Sequence, residues 1–369
     1  MTRVVVAVDS FKGSIPAAAA AAALAEGWRR VDPASEVLLR PMADGGEGTL
    51  DAFAAAVVGA RRMPVTVRGP HGRDVDAAWL LLPDGTGAVE LASTSGIELL
   101  GDRRRPWDAG TTGFGQAIAA ALDHGVRRLV VGIGSSASTD GGAGMLAALG
   151  ARLTDRAGAA IAEGARGLLS LAAADLTGLR LPPPGGVVVL SDVTHPLLGA
   201  HGAAAVFGPQ KGLTADEIPI VDAALARLAA LLGADAALPG AGAAGGTGFA
   251  LAAWGARLVP GAGEVAALIG LDEAVTEASL VVTGEGSYDG SSAAGKVPSF
   301  VASRAERAGV PVALVAGRIA PDADTRPFAL AVSLSALAGD PRRAIADPAR
   351  WLRVAGETLA RAHGAGACV

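Results

Sequence analysis

Apolar and polar positions follow two rhythms along this chain, and the rhythm changes near residue 61. Val4-Val5-Val6-Ala7-Val8 is an unbroken, mostly β-branched run. That is the pattern of a strand covered on both faces in a parallel sheet. Asp9-Ser10-Phe11-Lys12-Gly13 reads as a loop, with Ser14 as a candidate cap and Pro16 near the first helical position. A helix is expected from there to about Arg30, then a strand from Glu36 to Leu39, a loop from Pro41 to Gly48 and a helix from Leu50 to Val58. This β-α-β-α opening predicts an α/β fold. From Arg61 the runs Met63 to Val67, Ala77 to Leu82 and Ala88 to Leu91 alternate, split by Gly69-Pro70-His71-Gly72 and Pro83-Asp84-Gly85. They predict a small antiparallel meander, unlike the sheet before it.

Helices at Thr111 to Leu122, Gly142 to Leu149 and Ala215 to Leu232 then mix with strands at Leu129 to Ile133 and Val187 to Leu190. Near Leu280 the first rhythm returns. Leu280 to Val282, Val312 to Val315 and Ala329 to Leu334 read as strands, Pro298 to Ala308 as a helix, and about Arg342 to His363 as the closing helix. The expected architecture is a Rossmann-like parallel-sheet domain built from residues 1–60 and 271–369. An inserted second α+β domain would occupy residues 61–270.

Length agrees, since 369 residues suit two domains. No apolar run is long enough to span a bilayer, and Asp9 and Lys12 interrupt the N-terminal apolar region, which argues against a signal peptide. The single cysteine, Cys368, permits no internal disulfide, which fits a reducing compartment. A cytoplasmic monomer or homodimer is expected, with no membrane partner. A net charge of −5, without basic clusters interleaved with aromatics, argues against nucleic acid as a partner.

Composition changes the picture at one point. Of 31 basic residues only Lys12, Lys211 and Lys296 are lysine, asparagine is absent, and every lysine adjoins glycine. An ammonium is a compact point charge that arginine's planar fork cannot always replace. A lysine kept against such a bias is therefore a candidate for phosphate or carboxylate. The plain alternative is chance survival on a solvated surface.

Glycine-rich segments follow several expected strands: Asp44-Gly45-Gly46-Glu47-Gly48, Gly132-Ile133-Gly134-Ser135-Ser136, Asp140-Gly141-Gly142-Ala143-Gly144, Gly240 to Gly246, and Thr283-Gly284-Glu285-Gly286. Read as loops feeding helix N-termini, they would present free N–H groups to phosphate. Ordinary strand-to-helix turns are the alternative. Gly290 to Val297 nearly matches a P-loop but has Val297 where Ser or Thr should hold magnesium. Lys296 could still meet an anion. Asp9, Asp44, Glu47, Asp140, Asp192, Glu285 and Asp289 lie in these segments or beyond strand ends. There, carboxylates can hold Mg2+ or orient a hydroxyl, and they can also merely cap turns. His195, before Pro196, is expected to pack in its loop.

Taken in order, these motifs resemble the type-1 bacterial glycerate kinase family. The resemblance rests on Asp9-Ser10-Phe11-Lys12-Gly13-Ser14, Pro41 to Thr49, Gly132 to Met145, Asp192-Val193-Thr194-His195-Pro196-Leu197, Val206 to Gly212, Pro239 to Gly246 and Thr283 to Gly286. The family's usual asparagines are replaced at Thr139 and His195. The resemblance implies transfer of the γ-phosphate of ATP, with Mg2+, to a hydroxyl of D-glycerate, giving 2-phosphoglycerate. Lys12, Asp192 and Lys296 are the expected catalytic residues. Ser10, Gly45, Gly46, Ser136, Gly141, Gly142, Lys211, Gly245, Gly246, Gly284 and Gly286 are expected to bind substrate or phosphate. Asp44, Glu47, Asp140, Glu285 and Asp289 are expected around the metal. A kinase must keep water from the transferred phosphoryl group, so the active site is expected in a cleft between the two domains. The competing readings are a nucleotide-dependent oxidoreductase acting on a small hydroxy acid, and a non-catalytic anion-binding sensor. Against the oxidoreductase, no Gly-x-Gly-x-x-Gly closes the first strand.

Overall fold

A computed structural model describes residues 2–290 and 296–366. Cys368 and the Ser291 to Gly295 part of the P-loop-like segment lie outside the described residues. In chain order the strands are β1 (Arg3–Val8), β2 (Glu36–Leu39), β3 (Arg61–Arg68), β4 (Asp74–Leu81), β5 (Thr86–Glu90), β6 (Arg128–Gly132), β7 (Arg152–Thr154), β8 (Ala173–Asp175), β9 (Val187–Leu190), β10 (Arg257–Val259), β11 (Leu280–Tyr288), β12 (Val312–Ile319) and β13 (Leu330–Ser333). The chain divides into two compact units: Met1–Ala43, Asp51–Val58 and Ala262–Val369, and then Asp44–Leu50 with Gly59–Gly261.

The first unit holds a five-stranded parallel sheet in the order β13-β12-β11-β1-β2. As the pattern predicted, Val4 to Val8 are all buried. Val4, Val6 and Val8 share a core with Leu24 and Trp28 of the helix Ala17–Val31 and with Leu352 and Leu359 of the helix Pro348–Gly364. Numbered within this sheet alone, the order is 2-1-3-4-5. The direction of winding therefore reverses between β1 and β11, and in such sheets ligands bind at the strands' carboxyl ends at that reversal.

The second unit is built on a six-stranded sheet in the order β10-β9-β6-β5-β4-β3. Strands β5, β6, β9 and β10 run parallel, while β3 and β4 are antiparallel additions. The expected meander is thus the edge of a larger mixed sheet. Burial alternates along β3, but β5 is buried throughout because it also pairs with β6, and strand partners distant in sequence leave no local pattern. One core packs Phe114, Ile118, Leu129, Val131 and Val189, and another packs Leu168, Leu197, Leu225 and Phe249.

Two further expectations are corrected. The closing helix is two, Pro341–Ala346 and Pro348–Gly364. Asp347 accepts from the Arg350 amide and Pro348 opens the second helix, because proline lacks the N–H needed to continue the first. Thr283-Gly284-Glu285-Gly286 is not a loop but lies inside β11. An added Cβ on Gly284 would stand 1.9 Å from the Val315 carbonyl oxygen, so glycine there serves strand contact. Among the described residues no helix is long and apolar enough to cross a membrane.

Candidate active site

In the first unit, β1 stops at Val8, opposite Gly284, while β11 runs on to Tyr288 against β12. Glu285 and Gly286 therefore stand past the end of β1, at the reversal point of the sheet. Asp9-Ser10-Phe11-Lys12-Gly13 turns there. The Asp9 amide donates to the Gly284 carbonyl at 2.8 Å, and the Ser10 amide donates to Asp9 Oδ1 at 2.6 Å. Lys12 is exposed and faces no carboxylate within salt-bridge distance among the described residues. Gly286 leaves room for that turn, since a Cβ on it would come within 3.1 Å of the Lys12 amide nitrogen.

Lys296 stands immediately before the helix Val297–Ala308. Its Nζ lies 3.8 Å from Glu285 Oε2 and 3.9 Å from Asp289 Oδ1. Glu285 and Asp289 were expected to hold a metal, but here they flank an ammonium. Both separations sit near the outer limit of an ion pair, and the Lys296 side chain is 41% exposed, so an incoming phosphate can compete for it.

In the second unit the segment Asp44 to Leu50 lies over the carboxyl ends of β6 and β9. Gly45, at φ +94, accepts at its carbonyl from the Gly134 amide at 2.9 Å. A Cβ on it would stand 2.3 Å from the Leu190 carbonyl oxygen. The Gly46 amide donates to Asp44 Oδ1 at 2.9 Å, and Glu47 is exposed on the same turn. Asp192, just past β9, accepts from the Gly261 amide at 2.9 Å. Partial burial pushes its carboxyl above the ordinary range and the nearby Asp44 charge adds to the rise, while the Gly261 bond opposes both.

Asp140, another expected metal residue, is fully buried. Its oxygens accept from Thr111 N and Oγ1, Gly142 N and Gly144 N, at 2.8–3.2 Å. This carboxylate organises its loop, and a metal would have to displace those donors. Gly141, Gly142, Gly245 and Gly246 are also buried rather than open to an anion. The Gly141 amide donates to the Gly245 carbonyl at 3.0 Å, and a Cβ on Gly245 would meet the Ser138 carbonyl oxygen at 2.1 Å. The ordinary-turn alternative accounts for these four glycines, which let two loops interlock.

Lys211, expected to touch substrate, is 2% exposed. Its Nζ donates to Ser136 Oγ at 2.7 Å and to the Ser138 carbonyl. Burial pushes its ammonium down to about 7, with Asp140 pulling the other way. His195 packs as expected, its Nδ1 3.0 Å from the His201 carbonyl and its ring edge-on to Phe207. Sequence reasoning missed Glu90, a buried carboxylate ending β5 that accepts from the Thr49 amide at 2.8 Å and fixes the Asp44 segment. The sequence signal was an acid inside the otherwise apolar run Ala88 to Leu91.

Residues 4–364 match the glycerate kinase family. The chain is 42% identical over 334 residues to a glycerate kinase of Bacillus subtilis (strain 168), covering 87% of this chain and 86% of that one. It is 41% identical over 329 residues to glycerate 2-kinase of Escherichia coli (strain K12), with coverages of 87% and 86%. It superposes on the crystal structure of a candidate glycerate kinase 2 from Salmonella typhimurium LT2 with a TM-score of 0.85, at 39% identity and 99% coverage of both chains. The sequence motifs, the parallel sheets and these likenesses agree, and the chain belongs to the glycerate kinase family.

Proposed function

We propose that this chain transfers the γ-phosphoryl group of ATP, with Mg2+, to a hydroxyl of D-glycerate, yielding 2-phosphoglycerate in the cytoplasm. The observation that carries the reading is the pair of cations at the reversal point of the five-stranded sheet: exposed Lys12, and Lys296 loosely held by Glu285 and Asp289. Phosphoryl transfer needs little covalent help from a protein. It needs charge neutralisation and alignment of donor and acceptor oxygens. Lys12 and Lys296 supply point charges to the anionic oxygens of the substrates, both at rest and as charge spreads during transfer.

The metal is the second requirement. Among the described residues no three acidic, histidine or cysteine side chains gather to hold one. Asp44 and Asp192 fit better than the other acids, because they are accessible oxygen donors and the charge of one raises the other's pKa. Magnesium is commonly held by one or two carboxylates together with substrate phosphates. Bound there, it would neutralise phosphate charge. The Gly261 amide keeps Asp192 oriented, and the Gly46 amide does the same for Asp44.

A coupled ADP-release assay across D-glycerate, L-glycerate, glycerol and related hydroxy acids tests the reading. Phosphorus NMR of the product separates 2- from 3-phosphoglycerate. ADP release that D-glycerate does not stimulate would overturn the proposed activity.

A further inference from the structure

Lys211 ends the helix Ala203–Lys211 and is the one lysine buried in the molecule. A buried ammonium is costly unless its protons are bonded. An ammonium can only donate, so Ser136 Oγ spends a lone pair on Lys211 and keeps its own proton. Among the described residues no protein group accepts that proton. Ser136 is still 7% exposed, just past β6 on the edge of the parallel strands that also carries Gly134, Gly45 and Asp192. The surrounding backbone is fixed. Ser135 holds φ +57, its carbonyl accepts from the Ile97 amide at 2.8 Å, and the Ala137 amide donates to the Ser95 carbonyl at 3.1 Å.

We propose that Lys211 is a positioning residue. By donating to Ser136 Oγ and the Ser138 carbonyl, it leaves the Ser136 hydroxyl free to donate to a substrate oxyanion, either the carboxylate of glycerate or a phosphate of the nucleotide. This rests on the glycerate kinase reading above. It differs from the expected direct contact, because the lysine acts through the serine.

The arrangement has a consequence in pH. Asp140 is the charged group that faces Lys211. When Lys211 loses its proton, its nitrogen gains a lone pair and can take the Ser136 proton for itself. Affinity for the oxyanion should then fall as pH rises through about 7. Stability moves the other way. The folded chain binds fewer protons than the unfolded one between about 7 and the ordinary 10.5, so this group's contribution to stability rises with pH across that window.

The experiment is calorimetric titration of the intact protein with D-glycerate alone and with ATP alone, from pH 6 to 9, for wild type, Ser136→Ala and Lys211→Met. Turnover of the wild type is measured first. An inactive wild type overturns the glycerate kinase reading. With an active wild type, Ser136→Ala should weaken one of the two ligands at least ~10-fold and flatten its pH dependence. The ligand affected identifies the oxyanion. Lys211→Met should flatten the same profile and remove the rise of the melting midpoint above neutrality. If Lys211→Met does not fold, Ser136→Ala decides, since it removes only a hydroxyl. A Ser136→Ala protein that binds both ligands within twofold of an active wild type, or keeps its pH profile, overturns the proposal.

Discussion

Lys12 is an exposed cation at the end of β1, beside the reversal point of the sheet, in a chain that otherwise favours arginine. A charge-assisted hydrogen bond contributes about 1.5–3 kcal/mol, or about 10- to 150-fold. Lys12→Ala should therefore lower kcat/KM for glycerate at least ~10-fold with little change in melting temperature. Lys12→Arg should restore only part of that, because a planar fork does not reproduce a point charge. Full activity in Lys12→Arg would show that the scarcity of lysine carried no information here. Asp192 behaves oppositely with respect to stability. Its raised pKa means that the ionised form is disfavoured in the fold, a penalty that grows as pH rises past the ordinary carboxylate value. Asp192→Asn can keep the Gly261 bond while removing that penalty. It should leave the ligand-free protein at least as stable at pH 7 by thermal melting, yet lower activity at least ~10-fold and weaken magnesium dependence. Near-normal turnover at saturating magnesium would remove Asp192 from the metal pair. Composition pointed to all three lysines, but it could not separate the surface pair from Lys211. The groups that bury Lys211 lie 75 and 73 residues away in sequence.

At the scale of elements, β1, β9 and β12 were legible because their apolar runs are continuous, as strands covered on both faces must be. The end of β11 was not. Gly284 and Gly286 read as loop residues, yet both lie in β11, which pairs with β12 as far as Ile319, and at Gly284 the Val315 backbone leaves no room for a Cβ. The same signal has another meaning at Gly45, where positive φ and close approach to the Leu190 carbonyl coincide. Gly45→Ala should cost at least ~2 kcal/mol, from strained backbone and lost fit together. A urea midpoint unchanged from wild type would contradict that packing. The candidate site divides in the same way. Residues beyond strand ends were found from pattern alone, whereas Glu90 and the burial of Asp140 depend on strand neighbours that periodicity does not reveal.

At the scale of the whole molecule, the domain reading from the two rhythms rested on the return of a buried-strand pattern near Leu280. The same connectivity has a temporal consequence. The Thr283 hydroxyl donates to the Ala7 carbonyl across 276 residues of sequence. During synthesis at about 5–20 residues per second, β1 waits roughly 15 to 55 s for its central neighbour. Through that interval Val4 to Val8, a short β-branched stretch without charge, has only the helix Ala17–Val31 and β2 to shelter it, and such segments are prone to self-association. The second unit completes its sheet with β10 at Val259, before β11 is made. A chain truncated after Gly261 should therefore carry a trypsin-resistant second unit while Arg29 and Arg30, in the helix after β1, are cut readily. Protection of those two sites in the truncated chain would show that the first strands do not wait. If they do wait, yield in cells should depend less on final stability than on chaperones that occupy the nascent N-terminus, and slowing translation after residue 261 should lower soluble protein without altering the melting temperature of what folds.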